Sequence, residues 1–210
     1  MQDLLDLIIS RRTITSFEPK FVSWEKIARV LDAGRHAPCC GNLQNWKFIL
    51  VYDSKQKGKL AEALYEHYEV TGAWALVVIC GETAKAERYY GEKGKWFTAQ
   101  NCAAAAENMI LEAHSLGLGT RWIGAFDEEV VKSLLGVPEE VSVQVILALG
   151  YAKEIPEKPP KFPLEVVTYF GGWRRKMKDP AKYMNDIASI LARKAQAIHT
   201  AAQKLVSKSQ

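Results

Sequence analysis

The residues Ala75–Cys80 form an unbroken apolar run of strand length. A strand with no polar alternation cannot turn one face to water, so it belongs in a sheet covered on both sides. Ser142–Leu149 reads as a second buried strand, and Lys47–Tyr52 and Thr120–Ile123 as further strands. Helices are predicted between them. Residues 3–10 place Leu4, Leu5, Ile8 and Ile9 at spacings of three and four, and Ser23 is an N-cap for a helix reaching Gly34 that buries Ile27, Val30 and Leu31. Asp53-Ser54 opens a helix carrying Leu60, Leu64, Tyr65 and Tyr68. Residues 97–116 form a long helix, Ala-rich at 103–106 and stopped by Gly117, and Asp127 caps a short one that ends at Gly136. This alternation implies an α+β or α/β sandwich with a mixed sheet.

After Gly150 the pattern changes. Pro156, Pro159, Pro160 and Pro163 enforce an extended arm, Leu164–Phe170 reads as a β-type segment, and Gly171-Gly172 is a break. Asp179 followed by Pro180 is a helix start, and an apolar stripe then runs from Met184 to Leu205. The expected organisation is a body of residues 1–172, with an arm at 153–172, and a basic amphipathic helix over 173–210. Charge follows the same division: residues 173–210 hold nine Lys/Arg against Asp179 and Asp186, or +7, which leaves residues 1–172 at −3 of the net +4. No apolar run approaches the ~20 residues of a membrane span, and the N-terminus lacks the basic stretch of a secretory signal. Cys39, Cys40, Cys80 and Cys102 show neither C-x-x-C spacing nor a disulfide framework, so they are read as reduced thiols of a cytoplasmic protein.

Three segments carry candidate chemistry. Arg11, Arg12 and Thr13 follow the first helix; paired guanidiniums and a hydroxyl suit a phosphate, although a solvated pair of charges at a helix end has the same sequence. Pro38-Cys39-Cys40-Gly41-Asn42-Leu43-Gln44-Asn45-Trp46 offers Asn42 and Gln44, whose amides each donate and accept and so match the alternating groups of a planar heterocycle. The vicinal Cys39-Cys40 pair is open to redox chemistry, but no further Cys or His stands at metal-ligand spacing, so no metal site is expected. In Gly119–Phe126 a strand runs into Ile123-Gly124-Ala125, where Gly124 has no Cβ to keep a ring from the backbone N–H groups. A tight strand-to-helix turn before Asp127 would read identically.

Taken together and in this order, the three segments resemble the FMN-dependent nitroreductase family over roughly residues 1–170. The family pattern R-x-[ST]-x-[RK] falls on Arg11 to Thr15, with Thr15 in place of the last cation, and P-S-x-x-N-x-Q-P-W falls on Pro38 to Trp46, with Cys39 for Ser and Asn45 for Pro. The resemblance implies an α/β/α sandwich with a mixed, mainly antiparallel sheet. It implies FMN held at its phosphate by Arg11, Arg12, Thr13, Thr15 and Lys161, and at its ring by Pro38, Cys39, Cys40, Asn42 and Gln44. Ile123, Gly124 and Ala125 would lie against flavin N5 and O4. It further implies a homodimer with FMN sites shared between subunits, and ping-pong transfer from NAD(P)H to a small-molecule oxidant such as a nitroaromatic or quinone. Specialised flavin chemistry on the same fold, reductive dehalogenation or flavin cleavage, is the alternative within enzymes. Flavin or nucleic-acid binding through the basic tail is the alternative outside them, and the tail lacks the interleaved aromatics of a single-strand platform. Glu107, Asn108 and His114 on the long helix, and Tyr89, Tyr90, Trp96 and Phe97 before it, receive no catalytic assignment, because the cofactor carries the chemistry.

Overall fold

The computed structural model describes residues 3–65 and 68–176. The chain divides into two compact units, Met1–Lys158 and Pro159–Gln210, the division lying within the Pro-rich arm. The helix expected from Pro180 onward lies outside the described residues.

The first unit runs α1 (Leu4–Ser10), β1 (Phe17–Glu18), α2 (Trp24–Arg35), β2 (Trp46–Val51), α3 (Ser54–Ala63), β3 (Ala75–Glu82), α4 (Thr83–Tyr90), α5 (Lys93–Ser115), β4 (Gly119–Ile123), α6 (Glu128–Leu135) and β5 (Val141–Ala152). The expected caps form. The side chains of Ser23, Asp53 and Asp127 accept from the backbone N–H three residues on, and Gly136 closes α6 in the left-handed region.

Strand β5 organises the sheet. It pairs with β3 over most of its length, with β4 over Ile146–Gly150 and with β1 at Tyr151 and Ala152. Strand β2 pairs with β3 on the far side. Every strand pair among the described residues is antiparallel, and the parallel component of the sheet is an isolated bridge between Thr13 and Thr120. Side chains of β3 alternate between two cores. Leu76, Val78 and Cys80 pack with Leu60, Leu64 and Val131 of the α3–α6 layer, while Val77 and Ile79 pack with Ile27, Val30 and Met109 of the α2–α5 layer. Both faces are thus covered, which is why Ala75–Cys80 has no polar position.

The structure departs from the sequence reading at several elements. Helix α3 stops at Ala63, so Tyr65 and Tyr68 are not on it: Leu64 caps the helix, Tyr65 turns left-handed at φ 49°, and a 3₁₀ turn covers Tyr68–Gly72. Helix α5 begins at Lys93 rather than residue 97, and the unanticipated α4 precedes it, the two joined through Gly91 at φ 56°. Leu31 is only partly buried, and α1 buries none of its apolar residues. In the second unit Leu164–Phe170 is not a β segment. Leu164–Val167 forms a single helical turn, α7, in which Val166 N–H donates to the Pro163 carbonyl (2.9 Å) and Thr168 Oγ1 to the Leu164 carbonyl (2.8 Å). The apolar pattern suited a strand, but no partner strand is paired with it among the described residues, and local hydrogen bonds satisfy the backbone instead. No helix among the described residues is long and apolar enough to cross a membrane.

Candidate functional site

The segment after α1 is tied to β4. Ile14 N–H donates to the Thr120 carbonyl (2.9 Å), and a Cβ at Gly119 would come within 2.6 Å of Ile14, so only glycine lets the two strands approach this closely. The arrangement opens a cavity of about 290 Å³ lined by Arg11, Arg12 and His114, with Ser10, Ile14, Gly117–Thr120, Ala152 and Ile155 completing the wall.

The two guanidiniums differ. The Arg11 guanidinium makes no hydrogen bond or ion pair with the other described residues. Arg12 turns back on α1, its Nη1 shared among the carbonyls of Ile9 (2.9 Å), Ser10 (3.0 Å) and Arg11 (2.8 Å), which cancels the exposed acceptors of the helix C-terminus. Arg12 Nε, in contrast, is buried without a partner among the described residues. Leaving a charged donor in that state costs ~1–3 kcal/mol or more, so an acceptor beyond the described residues is called for. His114, from the last turn of α5, touches Ser10 Oγ through Nε2 at 2.9 Å. Its pKa is lowered, first by burial and then by the charges of Arg11 and Arg12, so the imidazole is neutral at pH 7. Thr13 and Thr15 are exposed and do not line the cavity; Thr13 contributes through its backbone bridge to Thr120.

The Pro38–Trp46 loop sits elsewhere along α5. Gly41, Asn42 and Gln44 all have left-handed backbones, φ 51°, 53° and 47°. For the two residues with side chains this costs about 1–2 kcal/mol each, so the loop must be held from outside. The holding comes from Asn45, Thr98 and Asn101, all buried. Asn101 Nδ2 donates to Asn45 Oδ1 (2.7 Å) and its Oδ1 accepts from Cys40 N–H (3.0 Å), while Asn45 Nδ2 donates to Thr98 Oγ1 (2.9 Å) and the Glu82 carbonyl (3.2 Å). The resembling family carries proline where Asn45 stands, so this chain replaces a rigid ring with a satisfied polar network. Asn42 and Gln44 remain exposed, and their side chains bond to each other (3.2 Å). Cys39 and Cys40 are half-buried, each sulfur accepting one N–H at 3.3 Å, from Gln44 and Asn101 respectively. The remaining thiols are sequestered: burial pushes Cys80 up to about 11 and Cys102 up to about 12.

At the end of β4, Ile123 is buried while Gly124 and Ala125 are exposed, and neither exposed residue's N–H donates to a described residue. Gly124 is not left-handed, and a Cβ there would meet only the Trp122 indole, at 3.4 Å. The chain's own packing therefore makes no demand for glycine at this position. Lys161 lies exposed in the second unit.

Sequence reasoning did not single out Ser10, His114, Asn45, Thr98 or Asn101 as site residues. Thr98 and Asn101 share the buried face of α5 with Cys102 and Ala105, each of the first two standing three or four residues from one of the others, and polar residues on such a face are the legible trace of a network. Tyr90, which received no catalytic role from the sequence, ends α4; a Cβ at Gly41 would fall 2.5 Å from its hydroxyl, so α4 closes down on the loop.

The family model of the Nitroreductase family matches residues 8–82 and 67–151. A protein of Archaeoglobus fulgidus, provisionally named NADH dehydrogenase/NAD(P)H nitroreductase, is 34% identical over 158 residues, covering 73% of this chain and 88% of its own. The NADPH-flavin oxidoreductase of Vibrio harveyi is 27% identical over 177 residues, 80% of this chain and 74% of its own. The structure of NADPH:FMN oxidoreductase from Vibrio harveyi complexed with NAD+ superposes with a TM-score of 0.76 at 23% identity, covering 99% of this chain and 91% of that one, and shows the shared fold. On the family match and the identity to the archaeal protein, this chain belongs to the nitroreductase family.

Proposed function

We propose that the protein is an FMN-dependent oxidoreductase that passes electrons from NAD(P)H to a small-molecule acceptor such as a nitroaromatic or quinone. The observation that carries this reading is the cavity with two guanidiniums, one unpaired and one with a buried, orphaned Nε. That donor set fits a phosphate dianion and is otherwise expensive to maintain. FMN held there by Arg11 and Arg12 would supply the electron- and hydride-transfer chemistry between NAD(P)H and the acceptor, which the chain's own side chains cannot provide.

The chain's own residues hold, orient and polarise. Arg11 and Arg12 take the phosphate, and Lys161 is a further candidate for it. Asn42 and Gln44, on a loop fixed by the Asn45–Asn101 network, present paired donors and acceptors to the pyrimidine edge. The free N–H groups of Gly124 and Ala125 are fixed donors for negative charge that develops on reduction, the kind of preorganised donor worth ~10²–10³ in rate. Thr120, bridged to Thr13, and Ile123 are about 10 Å apart along β4, a distance that a ribityl arm covers.

The protein acts as a homodimer in this reading. Asn101, which fixes the Pro38–Trp46 loop, and His114, in the phosphate cavity, are about 20 Å apart along α5 at 1.5 Å per residue. That exceeds the reach from a flavin's phosphate to its pyrimidine edge, so one flavin takes its phosphate cradle from one subunit and its loop from the other. Leu4, Leu5 and Ile8, which α1 leaves 64%, 36% and 45% exposed, supply apolar surface for such an interface.

The purified protein should be yellow and should release FMN, not FAD, on denaturation, as read by absorption and chromatography of the released flavin. A colourless protein that does not take up added FMN overturns the reading.

A further inference from the structure

The His114 side chain makes one hydrogen bond among the described residues, to Ser10, and has no part in the assignments above. Ser10 Oγ lies within hydrogen-bond distance of both the Leu7 carbonyl (3.1 Å) and His114 Nε2 (2.9 Å). In the protonated ring both nitrogens donate, Nε2 to the Ser10 oxygen. Nδ1 has no partner among the described residues and is left for a ligand. The charged groups around the ring are Arg11 and Arg12, which follow α1. The other walls of the cavity, Gly117–Thr120 before and within β4 and Ala152 and Ile155 after β5, bring no titratable group to it. On α5 itself, Glu112 is paired with Arg29 at 2.7 Å.

We propose that His114 is a third phosphate ligand of this cavity, binding the flavin phosphate in its protonated form, so that the site takes up a proton when FMN enters. The inference rests on the FMN reading and adds to it a residue that couples cofactor retention to pH. The physical reason is charge balance. Without ligand, two fixed cations and partial burial hold the imidazole neutral. A phosphate dianion balances the two arginines locally, removes the repulsion and offers an acceptor for a third donor, so the protonated ring becomes the stable one. The sign follows from linkage. His114 is lowered in the free protein and raised in the complex, and between the two values each binding event consumes one proton. FMN affinity is then highest at the acid side of that window and falls as pH rises. The ligand cannot produce this trend itself: a phosphate monoester, with a second pKa of about 6, is dianionic through the neutral range and would release any residual proton on meeting two arginines.

The test uses full-length, FMN-loaded protein. Dilution releases flavin, and recovered fluorescence gives the dissociation constant from about pH 6.5 to about 8.5, above the phosphate's own second ionisation near 6. Riboflavin, which lacks the phosphate, is measured in parallel. The expected result is an FMN dissociation constant that rises with pH, by up to about tenfold per unit where one proton is linked, with no such slope for riboflavin. His114→Asn should lose the slope and bind FMN more weakly at the acid end. His114→Lys, a permanent cation, should lose the slope while keeping tight binding. A flat profile for the unaltered protein, or a slope that survives in both variants, overturns the proposal. Should one variant not fold, the unaltered protein's FMN and riboflavin profiles still decide. A protein that holds no FMN at any pH defeats the flavin reading itself, an outcome distinct from FMN bound without pH dependence.

Discussion

Arg11 and Arg12 are adjacent, identical in chemistry and unlike in what they do. Arg12 spends Nη1 on the last carbonyls of α1, so part of it is scaffold, while Arg11 has no described partner. This separates two variants that the sequence alone treats as equivalent. Arg11→Ala should weaken FMN binding by more than tenfold, since a hydrogen bond to a charged group contributes ~1.5–3 kcal/mol and 1.4 kcal/mol is a factor of ten. Its stability should stay within ~0.5 kcal/mol of the parent, as for other substitutions of unpartnered side chains. Arg12→Ala should lower both affinity and melting temperature. Flavin titration beside thermal unfolding of each variant reads the difference, and an Arg11→Ala protein with unchanged FMN affinity would make that residue an ordinary surface charge.

Among the elements, α4 and α5 meet through a backbone contact that has no side-chain signal. A Cβ at Gly94 would lie 2.3 Å from Glu87 N and 2.6 Å from the Ala86 carbonyl carbon, so the first turn of α5 packs directly on the α4 backbone. Gly58, within α3, would meet nothing within 4 Å. Gly94→Ala should therefore destabilise the protein by about 1–3 kcal/mol through overpacking, whereas Gly58→Ala should stabilise it by about 0.5–1 kcal/mol by relieving the helix of a flexible residue. Denaturant midpoints of the two variants check both signs, and equal effects would mean that α4 does not sit where it is described. The contact matters beyond stability, because α4 also carries Tyr90 against Gly41 of the loop that presents Asn42 and Gln44.

At the scale of the whole molecule, helix α5 separates the Arg11–Arg12 cavity from the Pro38–Trp46 loop, and the proposed homodimer would bring one subunit's cavity to the other's loop. Dilution should then dissociate the dimer and release FMN over the same concentration range, because each monomer keeps only half of a site. Sedimentation and flavin fluorescence on one dilution series measure the two together. FMN retained by a sedimenting monomer would place the whole site in one chain. If His114 takes up a proton with the flavin as proposed, the same equilibrium gains a second dependence, on pH.

Local chemistry decided much of this in advance. The capping residues Ser23, Asp53 and Asp127 set helix starts, and unbroken apolarity put Ala75–Cys80 between two layers, because these depend on backbone donors and solvation within a few residues. The resemblance in three short segments was enough to indicate the family. Tertiary structure decided the rest. Leu164–Val167 is helical, with no strand paired to it among the described residues, and Tyr65 lies beyond the end of α3 with a left-handed backbone. The loop's left-handed residues are held by Asn45 and Asn101, which are 56 positions apart in sequence. His114 meets Ser10 across 104 positions, where no local pattern of either segment records the other. Pairing, burial and the electric field at a side chain are sums over neighbours brought together by folding, and only the folded chain states which neighbours those are.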